Sequence, residues 1–368
     1  LSGGLDSTAV ACLAGRQSPH PIHTFSGGFR EPGFDETHYA RIASDAAGTI
    51  QHEVFGTADE FVDLMPRLIY HMDEPAAGPG LYPQYCVSRL ASQHVKVVMG
   101  GQGGDEIFGG YTRYLIAYLE ASLKGGIQGS HEDEKYVVTF ESILPNLAQL
   151  RGYEPLLTRF FRSGLFGDAD RRYYALIDRS EGVRPMIAAE VWHNQAAYDP
   201  FEQFQAIFNH PNCHALINKM SRFDIKTLLP ALLQVEDRTS MAVSLESRVP
   251  LLDHRIVELV GRMPPKVKFQ GGRTKHIFRE VLNGIVPEPI ARRTDKMGFP
   301  VPLAQWAKGG RVRDFVQDTL FGTRARQRGL YDQRELDAAT RRTEDYGRSL
   351  WGLLCLELWH RAFIDGTP

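Results

Sequence analysis

The feature that most constrains the fold is a repeated switch of hydrophobic period across the first hundred residues. Pro21–Phe25, Gln51–Phe55 and Val95–Met99 read as short strands, the last of them buried. Helical patterns separate them. Thr8–Ala14 has Gly15 as a stop signal, Asp35 caps a helix that runs to Ala47 and ends at Gly48, and Pro83 opens another through Ser92. Thr57-x-x-Glu60 forms a capping box before Phe61, Leu64, Met65 and Leu68 at helical spacing. Pro66 predicts a kink there, or two short helices. Strands alternating with helices imply an α/β fold, a Rossmann-like parallel sheet with helices on both faces.

After Tyr111 the pattern changes. Gly125–Lys135 reads as a surface loop, and helical periodicity dominates from there to Pro368. Examples are Pro185–Tyr198, Phe223–Glu236, Leu252–Arg262, Thr274–Leu282 and Leu350–Phe363. The expected organisation is an α/β nucleotide-binding core over residues 1–120 and a mainly helical portion, 121–368, that completes the site. With 43% hydrophobic and 23% charged residues, wholesale disorder is excluded. A formal net charge of −2 speaks against a protein that coats nucleic acid or an anionic membrane. No apolar run approaches a membrane span. The four cysteines lie at wide, irregular spacings, which fits buried thiols in a reduced cytoplasm.

Two glycine-rich loops carry the chemistry. In Ser2-Gly3-Gly4-Leu5-Asp6-Ser7 the glycines let backbone N–H groups converge, Ser2 and Ser7 add hydroxyl donors, and a helix points its positive end at the same place. That suits phosphate. Asp6 is at odds with an anion unless Mg²⁺ lies between them. The spacing is not that of the common P-loop. The second loop, Gly100-Gly101-Gln102-Gly103-Gly104-Asp105-Glu106, follows a strand, where open α/β sheets bind ligands. Asp105 is a candidate second metal ligand, and Gly109 and Gly110 allow further close approach. The plainer reading of either loop is a capped strand-to-helix turn.

Ser-Gly-Gly-x-Asp-Ser resembles the pyrophosphate-binding loop of the N-type ATP pyrophosphatases (PP-loop superfamily). Residues 101–111, the stretch Val235–His254 and the stretch Asp295–Pro302 are similar to segments of the glutamine-hydrolysing asparagine synthetase branch. The resemblance covers nearly the whole chain, with the motifs in family order. It implies that aspartate is activated by ATP to β-aspartyl-AMP with release of pyrophosphate, and that ammonia then displaces AMP to give asparagine. By resemblance, Ser2, Gly3, Gly4, Asp6 and Ser7 hold pyrophosphate and Mg²⁺, and Asp105 completes the metal site. Gly27, Gly100 and Gly101 touch the nucleotide, and Lys296 reaches the α-phosphate. Gln102 stands where some members carry Glu and cannot itself take a proton, so either another carboxylate is the base or none is needed.

Several residues keep two readings. Arg238 is a candidate catalytic residue; Glu246, Arg248 and Asp253 are an ion-pair network or substrate contacts. Arg273 and Lys275 are basic candidates for the substrate carboxylates. Asp73-Glu74-Pro75 lines the pocket or ends a helix. His210, Cys213 and His214 lack a fourth ligand at metal spacing, so a polar turn is expected there. The first loop opens the chain, so the strand beneath it and the glutaminase domain of the family are expected upstream, as the ammonia source; a homodimer is allowed for. Alternatives are the same adenylation of a sugar acid, a β-lactam precursor or a lasso-peptide side chain, an RNA-modifying relative, and a non-catalytic ATP-binding relative.

Overall fold

The computed structural model describes residues 1–75, 78–128, 154–162, 164, 167–194, 198–270, 273–293, 298–341 and 348–366. Its first elements are α1 (Leu5–Gln17), β1 (His23–Gly28), α2 (Thr37–Ala47), β2 (Ile50–Phe55), α3 (Ala58–Met72), α4 (Leu81–Ser92) and β3 (Val97–Met99). α5 (Gly104–Phe108) and α6 (Thr112–Gln128) follow, and beyond them helices predominate, interrupted by β4 (Glu246–Arg248).

β1 and β2 pair in parallel, His23 opposite Ile50 and Gly28 opposite Phe55. α2 covers one face, where the Thr49 hydroxyl bonds those of Thr24 (2.9 Å) and Ser44 (2.7 Å). α4 covers the other, where Phe25 packs with Ala91 and Leu245. Helices on both faces of parallel strands are the expected architecture, and the local signals explain α2. The Asp35 carboxylate accepts from Thr37 N–H at 2.8 Å, and Gly48 ends the helix at φ +63°. The capping box at α3 is half formed. Thr57 Oγ1 accepts from Glu60 N–H (3.3 Å), but the Thr57 N–H goes to the Tyr82 hydroxyl (2.9 Å) while Glu60 pairs with Arg89.

The structure departs from the sequence reading in several places. α1 starts at Leu5 and passes through Gly15, which is a contact glycine and not a stop: a Cβ there would lie 2.5 Å from the Ala47 carbonyl. α3 is one helix with Pro66 inside it, fixed by five buried apolar side chains from Phe61 to Met72. β3 is not a buried strand. Val97 and Met99 are 41% and 51% exposed, because only the alternate residue, Val98, faces the packed side. β3 pairs in parallel with β4, a strand too short and too polar to read from sequence. Residues 125–128 belong to α6, and residues 129–135 of the expected loop lie outside the described residues. The single helix expected at Phe223–Glu236 is two, Leu216–Lys226 and Leu228–Met241.

The helical half packs back onto the α/β layer. Helices Gly310–Phe321 and Arg348–Phe363 both lie against α3. Phe61, fully buried, meets Tyr82, Trp306 and Trp351 at ring separations of 5.5, 5.7 and 6.0 Å. A second cluster joins Tyr114 and Tyr118 of α6 to Phe204, Phe208 and Phe269. All four cysteines are free, and Cys12, Cys86 and Cys355 are buried. Among the described residues no helix is long and apolar enough to cross a membrane. Truncating Phe61 removes the ring shared by these aromatics. Phe61→Ala should cost about 3–5 kcal/mol, read as a lower urea midpoint at unchanged slope.

Candidate active site

The first loop lies beside β1, with Ser26 Oγ donating to the Leu1 carbonyl at 2.7 Å. Gly3 takes φ +65°, and a Cβ there would sit 2.5 Å from that of Tyr39, so both conformation and space require glycine. The Ser2 and Ser7 hydroxyls meet at 3.0 Å, and Ser7 Oγ donates to the Gly4 carbonyl at 3.3 Å. α1 starts within the motif, at Leu5, so its unpaired first-turn amides and both hydroxyls share one neighbourhood.

The second loop leaves β3 with Gly100 N–H donating to the Arg248 carbonyl at 2.8 Å. Its glycines let it lie directly on the first loop's helix. A Cβ on Gly101 would be 2.6 Å from Ser7 N, and one on Gly104 would be 2.5 Å from Asp6 Oδ1. Gly103 takes φ +93° and Gly109 φ +71°. The Tyr111 hydroxyl donates to the buried Glu106 carboxylate, which ties the end of the loop to α5.

Between the loops sits Lys275. Its Nζ donates to Asp6 Oδ1 (2.7 Å) and Oδ2 (2.6 Å) and lies 2.7 Å from Asp105 Oδ1. Lys275 is 5% exposed and holds φ +53°. Burial alone would lower its pKa, but the charges of Asp105 and Asp6 and their hydrogen bonds outweigh it, and the net shift is upward. Lys275 is therefore engaged by the two carboxylates expected to bind metal. Arg273, the other basic candidate, pairs with Glu280 at 2.9 Å on the surface. Asp6 and Asp105 converge on one point with hard oxygen donors, which fits Mg²⁺. A cation there must share the carboxylates with the ammonium or displace it.

Nothing local in the sequence marks Glu236 as a site residue. Its carboxylate is buried, accepts from Ser247 Oγ (2.5 Å), and is bonded to the Gln102 side chain. A Cβ on Gly100 would lie 2.5 Å from Glu236 Oε1. Burial raises its pKa, against the lowering effect of the Ser247 and Gln102 hydrogen bonds. The available signal was an acid closing the apolar helical run Leu228–Val235. Arg293 likewise takes its place from distant contacts. It donates to the Gly3 carbonyl at 3.3 Å, pairs with Glu36, and stacks 3.8 Å over Tyr39.

The remaining candidates are placed as follows. Arg238 pairs with Asp73 at 2.9 Å, both about half exposed, and Asp73 takes φ +61° as the C-cap of α3, so that segment is a helix-ending turn. Glu246 and Arg248 pair with each other at 2.8 Å on the surface. Asp253 stands apart from them. It caps helix His254–Arg262, and hydrogen bonds from Arg255 hold its carboxyl well below the usual range. Gly27 faces Val87 and Phe299. His210, Cys213 and His214 lie in a turn between two helices, where Cys213 N–H donates to the His210 carbonyl at 2.9 Å. Lys296 lies outside the described residues.

The family model described as Asparagine synthase matches residues 1–361. A protein of Mycobacterium tuberculosis, provisionally named as a glutamine-hydrolysing asparagine synthetase, is 33% identical over 378 residues, covering 99% of this chain and 54% of that protein. Asparagine synthetase (glutamine-hydrolysing) 1 of Bacillus subtilis is 30% identical over 375 residues, covering 99% of this chain and 56% of the relative. That of Zea mays is 37% identical over 126 residues, 31% of this chain and 21% of the relative. The chain thus spans about half the length of the curated relatives it matches along its whole extent.

Removing the ammonium strands two carboxylates in a buried place. Lys275→Met should cost about 3–5 kcal/mol near pH 7. Because the folded-state pKa is raised, the wild-type advantage is whole below the ordinary lysine value of about 10.4 and is lost as pH climbs through the folded value. Urea unfolding from pH 8 to 11 should show the gap between variant and wild type narrowing above pH ~10.4. A constant gap would mean that Lys275 contributes packing and not charge.

Proposed function

The chain belongs to the asparagine synthase family, and from that premise we propose that it forms an amide using ATP, with aspartate as acceptor and ammonia as nitrogen donor. The observation that carries this reading is the convergence of Asp6, Asp105 and Lys275 beneath two interlocked glycine loops. Residues 1–120 supply the nucleotide loops, and residues 121–368 return Lys275 and Glu236 to them.

On this reading the terminal phosphates lie against Ser2, Gly3, Gly4 and Ser7, where amides and hydroxyls donate to anionic oxygen. Gly27, Gly100 and Gly101 let the nucleoside approach the backbone. The aspartate side-chain carboxylate attacks the α-phosphorus, β-aspartyl-AMP forms, and pyrophosphate leaves. Lys275, joined by Lys296 on the strength of the family resemblance, offsets the charge that builds on the phosphoryl oxygens. A Mg²⁺ held by Asp6 and Asp105 would neutralise part of the pyrophosphate charge. Ammonia then attacks the acyl carbon and AMP departs. Glu236 takes the proton released by the attacking nitrogen, and Gln102, bonded to it, orients the acyl group. A base with a raised pKa is suited to that proton. The relatives' names as glutamine-hydrolysing enzymes support a glutaminase domain as the ammonia source; free ammonia suffices for assay. A net charge of −2 supports a small acceptor over RNA.

Pyrophosphate exchange into ATP should require aspartate and be abolished by Asp6→Asn. Exchange with a sugar acid or β-amino acid in place of aspartate would reassign the acceptor. Glu236→Gln should retain exchange while ammonia-dependent amide formation falls by about 10²–10⁴-fold. If amide formation is unchanged in that variant, Glu236 is not the base.

A further inference from the structure

Three histidines far apart in sequence meet at the other end of the sheet. His23 is the first residue of β1, His52 lies in β2, and His94 is in the turn after α4. The parallel register sets Phe25 opposite His52 and His23 opposite Ile50, so His23, Phe25 and His52 project from the same face, the one α4 covers. The chain returns from α4 beside them, with His94 N–H donating to the Ala91 carbonyl at 3.0 Å. One ring nitrogen of each histidine lies within 4.8 Å of the other two. His23 Nδ1 and His52 Nε2 are 2.8 Å apart, and the His52 and His94 rings are 4.0 Å apart. Phe25 closes one side, 5.2 Å from His52.

We propose that His23, His52 and His94 bind a divalent transition metal of the Zn²⁺ class, which clamps β1, β2 and the turn before β3. Three neutral imidazoles are a donor set for Zn²⁺, Cu²⁺ or Ni²⁺ and a poor one for Mg²⁺, which takes oxygen. Zn–N bonds of about 2.0–2.1 Å put tetrahedral ligand atoms roughly 3.4 Å apart, so His23 and His52, whose nitrogens are 2.8 Å apart, part by roughly half an ångström on binding while His94 comes to the same spacing. His23 and His94 are exposed and free to make that adjustment, while His52 is partly buried and sets the site's position. The surroundings of His52 also favour its neutral, ligating form. Burial lowers the His52 pKa, and His94 and His23 lower it further, since each protonation repels the next. The fourth position faces solvent and takes water. The site is separate from the proposed nucleotide site: His23 begins β1, whereas the glycine loops lie beside the carboxyl ends of the strands.

The test is titration of the full chain, stripped by chelator, with Zn²⁺ alone and with Co²⁺ alone, in millimolar Mg²⁺ to occupy carboxylate sites. Calorimetry should show one equivalent of Zn²⁺, and Co²⁺ should give the visible absorption of a low-coordinate nitrogen site. His52→Gln and His94→Gln should each weaken Zn²⁺ binding by at least about tenfold and abolish the Zn²⁺-dependent rise in Tm. His23→Gln, at an exposed position, should do the same with the circular dichroism of the wild type, which separates a lost ligand from a misfolded chain. No binding at 100-fold excess over protein, or equal binding by all three variants, would overturn the proposal; the latter would place the metal elsewhere, as at His210, Cys213 and His214.

Discussion

A single buried ammonium holds the two glycine loops and the helical half together. Lys275 reaches back from the far half of the chain to Asp6 at the start of α1 and Asp105 at the start of α5. An isolated cation at that depth would be strongly unfavourable, and so would two facing carboxylates without it. Each group therefore fixes the other two. The backbone is committed as well. Lys275 accepts a left-handed conformation to begin helix His276–Val281, and Phe278 of that helix stacks on Phe108 of α5 at 4.5 Å.

Close backbone approach makes that ion cluster possible. Gly101 and Gly104 bring the second loop onto α1 with no side chain between them. Gly3 brings the first loop onto α2, and Arg293 grips the Gly3 carbonyl from outside while lying flat on Tyr39. The donors proposed to face phosphate are thus held by contacts with α2 and Arg293. Preorganised donors of this kind stabilise developing charge without moving at the moment of reaction.

The two loops, the α/β order and the cap of α2 were legible in the sequence because each rests on a local signal: glycine pairs, a change of period, Asp35 and Gly48. What escaped depended on distant contacts. Gly15 looked like a stop because glycine ends helices, yet its role is set by Ala47 of another helix. Lys275 reads as a basic candidate for the substrate carboxylates, and nothing nearby in sequence announces that Asp6 and Asp105 surround it. Glu236 carried no signal stronger than its place in an apolar run, because its partner Gln102 comes from the other half of the chain. The three histidines are invisible for the same reason: only the strand register brings them together.

The pairing of β3 with β4 bears on how the chain assembles during synthesis. The α/β elements leave the ribosome long before Glu246–Arg248 exist to pair with Val97–Met99. Until then Gly100 N–H has no Arg248 carbonyl to bond, and the second loop has no fixed exit from its strand. Among the described residues β4 is the strand paired with β3, so an early nascent chain carries an open, partly apolar edge. Such long-range closure is slow and exposes the intermediate to association. The second glycine loop therefore gains its fixed exit from β3 only after the chain has been made as far as Arg248.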